Sequence, residues 1–205
     1  NKNIIRLDPN EIAQLLDEAE SAEKLSGRQL ASHEKTKVRD VAILTLLLGT
    51  GIRVSECVGL NLEDVDFNNG AIRIIRKGGN EALIYFGDEV SQALEAYMNG
   101  SRKTAEPAAG HEEALFISLN KTRITTRSVE RLVKKYSRLV TTVKKITPHK
   151  LRSTFGTALY QETGDIYLVA DTLGHKDVNT TKKHYAAIDE HRRRMAANVV
   201  KLRES

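Results

Sequence analysis

Three short apolar runs, separated by two glycine-containing turns, most constrain how this chain can fold. The runs are Val65–Phe67, Ala71–Ile75 and Leu83–Phe86. Asn68-Asn69-Gly70 separates the first two runs, and Lys77-Gly78-Gly79-Asn80 separates the last two. Asn-Gly and Gly-Gly pairs favour the left-handed backbone that tight hairpin turns need. The pattern therefore predicts one small antiparallel sheet of three strands.

Helical signals surround this sheet on both sides. Asp8, Pro9 and Glu11 form a start signal for a first helix, and Val38–Leu48 is typical of a buried helix. Further helices are predicted over Val54–Leu60, Asp88–Met98, Thr126–Val140, Pro148–Glu162, Asp165–Thr172 and Thr180–Ala197. A loop or a weak helix is predicted over Ser26–Lys37, and an exposed loop over Asn99–His111. The expected fold is mainly α (α+β), a helical domain with a small three-stranded antiparallel β-sheet.

Composition excludes several classes of protein. With 40% hydrophobic and 29% charged residues over 205 positions, the chain is expected to be globular and not disordered. The longest apolar stretch, Val41–Gly49, is far short of the ~20 residues of a membrane span. Cys57 is the only cysteine, which excludes an internal disulfide framework and a cysteine-based zinc site. No signal peptide opens the sequence, and we expect a cytoplasmic location without membrane contact.

Positive charge is concentrated in one part of the chain. The formal net charge is only +5, but Lys121–Arg152 contains eleven lysines and arginines and one acid, Glu130. Such a cluster is the electrostatic footprint of a phosphate-binding face, although a solvated basic helix face is the alternative. The residues predicted to contact DNA are Lys121, Arg123, Arg127, Arg131, Lys134, Lys135, Lys144, Lys145 and Lys150.

Two arginines and their neighbours stand where helices begin or end. Arg53 follows the glycines that end the buried helix, and Glu56 could hold it by an ion pair across three residues. A guanidinium fixed in this way suits a phosphate, since it donates two parallel N–H bonds. His149 and Arg152 share one face of a helix N-terminus, where an imidazole can accept a proton beside a bound phosphate. A structural salt bridge and ordinary surface residues are the alternatives.

Three further residues have the types needed for phosphoryl chemistry. Lys77 lies in a glycine turn from which it could reach a cleft, His175 follows the helix-ending Gly174, and Tyr185 lies in a polar, basic stretch. Each of them alone is more often structural. No metal-binding histidine or carboxylate cluster accompanies them, and no GxxxxGK[ST] loop is present. We therefore predict no metal, no cofactor and no nucleotide hydrolysis.

Taken together, these residues suit a tyrosine hydroxyl that attacks a phosphodiester while cations neutralise the transition state in place of a metal. Their order along the chain resembles that of the tyrosine recombinases, also called the phage-integrase or lambda-integrase-like family, which includes the Xer type. The resemblance runs from about Leu7 to the last helix. The matching stretches are Thr50–Glu56, Lys77-Gly78, Pro148–Arg152, Leu173–His175 and Thr180–Tyr185.

The resemblance implies a role for each residue and a DNA breaking-rejoining enzyme fold. Tyr185 would be the nucleophile, which forms a 3′-phosphotyrosyl bond and releases a 5′-hydroxyl without metal or ATP. Arg53 and Arg152 would hold the non-bridging oxygens of the scissile phosphate. Lys77 would protonate the leaving oxygen, and His149 would take or relay the tyrosine proton.

His175 would hydrogen-bond the phosphate, and Glu56 matches the acidic position that supports the first arginine. The interval from His175 to Tyr185 is ten residues, where many members of the family have nine. His184 therefore stands at the usual position of the nucleophile. Tyr185 is the prediction because only the tyrosine can form the covalent link.

The resemblance also implies an organisation and partners. Residues 1–10 are expected to be a linker or the start of the first helix, and residues 11–205 the catalytic domain. An N-terminal DNA-clamping domain is expected outside this chain, so the chain alone would bind DNA weakly. The expected partner is double-stranded DNA at paired sites, in the bacterial cytoplasm and nucleoid. Four subunits would assemble there, linked by the C-terminal helix within Asp189–Ser205 if it docks in trans and not in cis, whereas the isolated chain would be monomeric.

A site-specific recombinase or integrase is the function that this pattern favours. Two alternatives stay open: DNA relaxation of the type IB topoisomerase kind, and a DNA-binding module that has lost catalysis. A metal-dependent nuclease is disfavoured because its carboxylates are missing from the pattern.

Overall fold

The computed structural model describes residues 4–203 and divides into two compact units. The larger unit is Arg6–Phe155, and the smaller unit is Gly156–Ser205 together with the N-terminal residues up to Ile5. None of the helices within residues 4–203 combines the length and the apolar character needed to cross a membrane.

The larger unit contains the sheet and most of the helices of residues 4–203. Its elements are α1 (Pro9–Ser21), α2 (Gly27–Thr50), α3 (Val54–Val58), a 3-10 turn (Leu62–Asp64), β1 (Val65–Asp66), β2 (Ala71–Ile75), β3 (Glu81–Tyr85), α4 (Asp88–Asn99), α5 (Ser101–Thr104) and α6 (Thr126–Ser137). Helix α7 (Pro148–Thr163) contains the division between the units, and it is followed by α8 (Ile166–Leu173), α9 (Val178–His184) and α10 (Ala186–Ala196). The prediction of a mainly helical fold is confirmed.

The three-stranded antiparallel sheet is also confirmed, with the order β1-β2-β3. Ile72 pairs with Ile84, and both side chains are buried against the core, whereas Arg73 on the opposite face is exposed. Gly78 takes the φ of 91° that the second hairpin turn requires, and the Arg76 amide donates to the Asn80 carbonyl at 2.7 Å. Local turn chemistry therefore sets the register of the hairpin that carries Lys77.

Helix α1 begins as its sequence predicts. The Glu11 amide donates to the Asp8 carboxylate at 2.8 Å, and the Asp8 amide donates to the Glu11 carboxylate at 3.0 Å. Pro9 occupies the first helical turn, where its missing N–H costs nothing.

The main hydrophobic core lies entirely in the larger unit and surrounds α2. Ile43, Leu46 and Leu47 are fully buried, and Val90 of α4 packs directly on Gly49. Each such side chain contributes roughly 1.5–3 kcal/mol by leaving water. Cys57 of α3 is also fully buried, and burial raises the pKa of its thiol to about 12.

Helix α2 starts at Gly27, so the prediction of a loop or weak helix over Ser26–Lys37 underestimates it. Two polar residues of this stretch, His33 and Thr36, are buried, whereas its other polar residues are exposed or half-buried. Thr36 donates to the Asp40 carboxylate at 3.1 Å, and the Tyr136 hydroxyl donates to the same carboxylate at 2.8 Å. Because Asp40 obtains these partners inside the protein, its carboxylate can be buried on the inner face of α2.

The prediction of an exposed loop over Asn99–His111 is wrong in part, because α5 lies within it. Arg102 of α5 is 6% exposed and donates to the carbonyls of Ala114 at 3.0 Å and Glu112 at 2.6 Å. These hydrogen bonds come from a distant loop and are invisible in local sequence. Helix α4 begins at Asp88, as predicted, and Gly87 is its N-cap residue.

The prediction of one long helix over Thr180–Ala197 is wrong: α9 and α10 are separate, and Tyr185 lies between them with φ −104° and ψ 16°. The Tyr185 ring and Thr181 are buried, whereas α10 has no buried residue that would continue the same helical face. The smaller unit therefore has few buried side chains, and several of them surround Tyr185.

Candidate active site

Arg53 occupies the junction between α2 and α3. Gly51 ends α2 with φ 69°, and the Arg53 amide donates to the Glu56 carboxylate at 2.7 Å. The Arg53 guanidinium pairs with the same carboxylate at 3.4 Å. The Glu56 side chain is 3% exposed and that of Arg53 is 42% exposed. A buried acid thus holds the guanidinium on one side and leaves the other side open to a ligand.

Arg152 is anchored beside the same junction. It lies on α7, is 6% exposed, and donates through Nη1 to the Gly51 carbonyl at 2.6 Å. That carbonyl belongs to the residue two positions before Arg53. The structure therefore brings the two predicted phosphate-binding arginines to one loop, although 99 positions separate them in the sequence.

His149 lies in the first turn of α7, where the positive charges of Arg53 and Arg152 act on its imidazole. The surrounding protein lowers the pKa of His149 below 6.5, and the positive charges of Lys150, Arg152 and Arg53 lower it further. The lowered pKa favours the neutral imidazole, which is the form able to accept a proton.

Lys77 is exposed on the turn between β2 and β3. The preceding residue, Arg76, was not among the predicted site residues, but it contacts the carboxylate that holds Arg53. Its side chain is 14% exposed and its Nη1 lies 3.7 Å from the Glu56 carboxylate. Two guanidinium groups, from Arg53 and Arg76, therefore share one buried carboxylate. The available signal was a second cation directly beside Lys77 in the same glycine turn.

Helix α6 presents part of the predicted basic surface. Its apolar face, with Val129 and Val133, is buried, whereas Arg127, Arg131 and Lys134 are exposed. Lys121 is exposed too, in a turn with φ 65°, and Lys150 of α7 is half-buried.

A cleft of about 930 Å³ is lined by Lys134 and His149, and its one acidic lining residue within residues 4–203 is Glu130. Lys144 and Lys145 line it, together with Thr147. The cleft therefore joins part of the predicted basic set to one of the predicted catalytic residues. Its cations and hydroxyls are suited to a strand of phosphates.

Three predicted DNA-binding residues also make structural contacts. The Arg123 guanidinium donates to the carbonyls of Val58 at 3.0 Å and Leu60 at 2.8 Å, and it also contacts the Asn61 side chain. Its role is thereby explained by the fold. The two others, Lys144 and Lys135, are only half-buried. Lys144 pairs with Glu11. The Lys135 ammonium lies 5.0 Å from the centre of the Tyr136 ring, and partial burial lowers the pKa of Lys135.

Tyr185 lies in the interior of the smaller unit. Its side chain is 1% exposed, and its ring centre lies 5.7 Å from that of Tyr160 and 4.7 Å from that of His184. The hydroxyl rests on the backbone of Gly156, where a Cβ atom would lie only 2.1 Å from it. The absence of a side chain at position 156 is therefore what makes room for the Tyr185 hydroxyl.

Thr181 connects the second predicted histidine to this tyrosine. The His175 Nδ1 lies 2.5 Å from the Thr181 hydroxyl, and the Tyr185 amide donates to the Thr181 carbonyl at 3.1 Å. Tyr160, which packs on Tyr185, also hydrogen-bonds Asp189. The smaller unit thus groups His175 and Tyr185, as the larger unit groups Arg53, Glu56, His149 and Arg152.

The described part of the chain, residues 4–203, contains no group of three or more histidine, cysteine or acidic side chains arranged to hold a metal ion. The charged groups at the junction of α2 and α3 offer N–H donors instead. Arrays of this kind stabilise negative charge that develops on phosphate oxygens.

Comparison with known proteins agrees with this arrangement. The model of the phage integrase family matches residues 5–192. Tyrosine recombinase XerC from Syntrophus aciditrophicus (strain SB) is 39% identical over 152 residues, which cover 73% of this chain and 49% of that protein. The chain thus spans about half the length of this curated relative.

Solved structures show the same likeness. The XerA recombinase superposes with a TM-score of 0.72 at 28% identity, covering 87% of this chain and 57% of that one. The Tn1549 transposon integrase, in complex with circular intermediate DNA, gives a TM-score of 0.68 at 27% identity and covers 95% and 66% of the two chains.

Proposed function

Because the chain belongs to the phage integrase family, we propose that it is the catalytic part of a site-specific tyrosine recombinase, which cuts and rejoins double-stranded DNA. The observation that carries this proposal is the convergence of Arg53 and Arg152 on one loop, beside a neutral His149. Two fixed guanidinium groups are suited to the two non-bridging oxygens of one phosphodiester.

In the proposed reaction, the Tyr185 hydroxyl oxygen attacks the phosphorus, and the bond from phosphorus to the 5′-oxygen breaks. His149 accepts the tyrosine proton, and Lys77 donates a proton to the leaving oxygen. Arg53 and Arg152 donate hydrogen bonds to the charge that develops on the phosphate. Attack by another 5′-hydroxyl on the phosphotyrosine reverses these steps and rejoins the DNA, so no ATP is consumed.

The burial of Tyr185 adds a condition to this reaction. A side chain that is 1% exposed offers no hydroxyl to a ligand. The ring therefore has to leave Tyr160 and Gly156 before attack. The break between α9 and α10 at Tyr185 supports this proposal, because a residue between two short helices can turn outward without unfolding a long one.

DNA binding is proposed along the cleft between Lys134 and His149 and the exposed face of α6. His175 is proposed to hydrogen-bond the phosphate, with Thr181 holding its ring. Residues 11–205 are proposed to form the catalytic domain. The exposed apolar side chains of Val199, Val200 and Leu202 support docking of the C-terminal segment on a neighbouring subunit of a tetramer.

Covalent trapping tests this proposal. The chain would be incubated, with EDTA present, with nicked duplexes whose central sequence is randomised, and the adducts that survive denaturing electrophoresis would be sequenced. We expect a sequence-selective adduct that Tyr185→Phe abolishes. His184→Phe is the matched control, because it changes the neighbouring position, and its adduct should persist.

The other outcomes separate the alternatives. Adducts on every duplex, together with relaxation of supercoils, would indicate a topoisomerase-like enzyme. Bound DNA with no adduct on any duplex would contradict the proposal in favour of a silent binding module.

A further inference from the structure

The single negative charge of the buried Glu56 carboxylate is paired with two positively charged guanidinium groups. Its side chain is 3% exposed, and it pairs with Arg53 at 3.4 Å and with Arg76 at 3.7 Å. It also accepts the Arg53 amide at 2.7 Å. A single acid between two guanidinium groups leaves this cluster with a net positive charge, on the side where Arg53 is exposed.

Arg76 is well placed to act on this carboxylate because its backbone is fixed. Its amide donates to the Asn80 carbonyl at 2.7 Å, and its carbonyl accepts from the Gly79 amide at 3.0 Å. Its side chain is 14% exposed, against 45% for Arg73 on the preceding strand, β2. Arg76 is thus held in the interior, whereas Arg73 pairs with Asp64 and Glu63 at the surface.

Sharing the carboxylate has a physical consequence for Arg53. A buried carboxylate with one cationic partner draws that partner into the closest available geometry, since an unpaired buried charge is costly. A second cation supplies part of the neutralisation. The Arg53 guanidinium can then remain at 3.4 Å from Glu56 and keep 42% of its side chain exposed for a phosphate.

We propose that Arg76 is a positioning residue for the cleavage reaction: by pairing with Glu56, it sets the orientation in which Arg53 meets the scissile phosphate. This inference rests on the proposed function. It assigns to Arg76 no contact with the DNA, and its effect passes through Glu56.

Substitution of Arg76 tests the proposal by separating chemistry from binding. With DNA of the trapped sequence at saturation, we expect Arg76→Ala to slow single-turnover adduct formation roughly 10- to 100-fold, as is typical when the partner of a functional side chain is lost. The affinity for DNA should stay close to that of the wild-type chain. Arg76→Lys should recover most of the rate, since it restores a cation near Glu56. Arg73→Ala is the matched control and should cleave at the wild-type rate.

A double-substitution cycle tests the route through Glu56. In a Glu56→Gln background, Arg76→Ala should cost much less than it does in the wild-type chain, because the interaction it removes is already gone. Full additivity of the two substitutions would overturn the proposal. A substrate with a 5′-bridging sulfur leaving group, which needs no protonation, should leave the Arg76→Ala defect in place. If this substrate restored the full cleavage rate of Arg76→Ala, Arg76 would act on the Lys77 turn and not on Arg53. That result would also overturn the proposal.

A spectroscopic readout keeps the inference independent of activity. The ¹⁵N–¹H signal of the Arg53 Nε group, identified by its loss in Arg53→Lys, should shift or broaden in Arg76→Ala and stay unchanged in Arg73→Ala. An unmoved Arg53 signal would overturn the inference even if the chain forms no adduct. Failure of the wild-type chain to form any adduct, with a shifted Arg53 signal, would overturn the proposed function and leave the positioning role supported.

Discussion

The two units of the molecule hold their functional side chains in different ways. In the larger unit, Arg53 and Arg152 are anchored by a buried carboxylate and by a backbone carbonyl, next to the main hydrophobic core. In the smaller unit, Tyr185 lies between two short helices, and α10 has no buried residue. Charge stabilisation benefits from groups that are fixed in advance. A nucleophile that is buried at rest needs surroundings that can open.

The largest expected effect concerns the fixed arginines. Arg152→Ala should slow adduct formation roughly 10²- to 10³-fold, the cost typical of removing one preorganised donor from a developing negative charge. DNA affinity should fall only slightly, since several other cations are proposed to contact phosphates. Single-turnover cleavage and a binding titration measure the two effects, with Arg28→Ala, an exposed arginine of α2, as the control. Equal losses of binding and cleavage would contradict the assignment of Arg152 to the chemistry.

Core substitutions test the contrast in packing. Leu47→Ala, at a fully buried position of α2, should lower the free energy of unfolding by roughly 2–5 kcal/mol. Val200→Ala, at a position that is 73% exposed, should change it by less than about 0.5 kcal/mol. Urea denaturation of both variants measures the difference. A comparable loss in Val200→Ala would show that the C-terminal segment is more tightly packed than the structure indicates.

A smaller effect should follow from filling the space under the tyrosine. Gly156→Ala places a methyl group where the Tyr185 hydroxyl lies, so the ring has to shift. We expect amide exchange over residues 181–189 to accelerate roughly tenfold, which corresponds to about 1.4 kcal/mol of local opening. Gly87→Ala meets no atom within 4 Å and is the matched control. Unchanged exchange in Gly156→Ala would mean that Tyr185 does not depend on this contact.

The smallest effect is on the titration of His149. Its pKa lies below 6.5 in the free chain, and Arg53→Ala should raise it because one nearby positive charge is removed. Bound DNA should raise it too, since phosphates favour the imidazolium. Because folding lowers this pKa, the associated stability is complete above pH 6.5 and is lost as the pH falls through the folded value. NMR titration measures these changes in pKa, with His149→Gln for assignment and Arg73→Ala as control. If Arg53→Ala left the pKa of His149 unchanged, the placement of Arg53 close to His149 would be contradicted.

Features with a local cause could be read from the sequence. The capping box at Asp8 and the Gly78 turn depend on residues within a few positions of each other, and both were predicted. The burial of Asp40 was not, because its partner Tyr136 is 96 positions away. The break between α9 and α10 at Tyr185 was not predicted either, because no glycine or proline stands at this position in the sequence. The break separates the buried Tyr185 from α10, which has no buried residue.

The candidate site shows the same division. The residue types and their order indicated the chemistry, and Glu56 was predicted to hold Arg53 because three positions separate them. The anchoring of Arg152 by the Gly51 carbonyl could not be predicted, since it depends on tertiary packing. The structural hydrogen bonds of Arg123 could not be predicted either. In the sequence, nothing distinguishes Arg123 from the other basic residues around it.

The buried thiol of Cys57 has a practical consequence for following the tyrosine. With its pKa raised to about 12, it carries almost no thiolate at neutral pH, and the thiolate is the form that labelling reagents attack. A cysteine introduced at Met195, which is 59% exposed, would therefore be modified alone in the folded protein. The sequence thus already permits site-selective attachment of a fluorophore or spin label on α10, the helix that follows Tyr185, without removal of any residue.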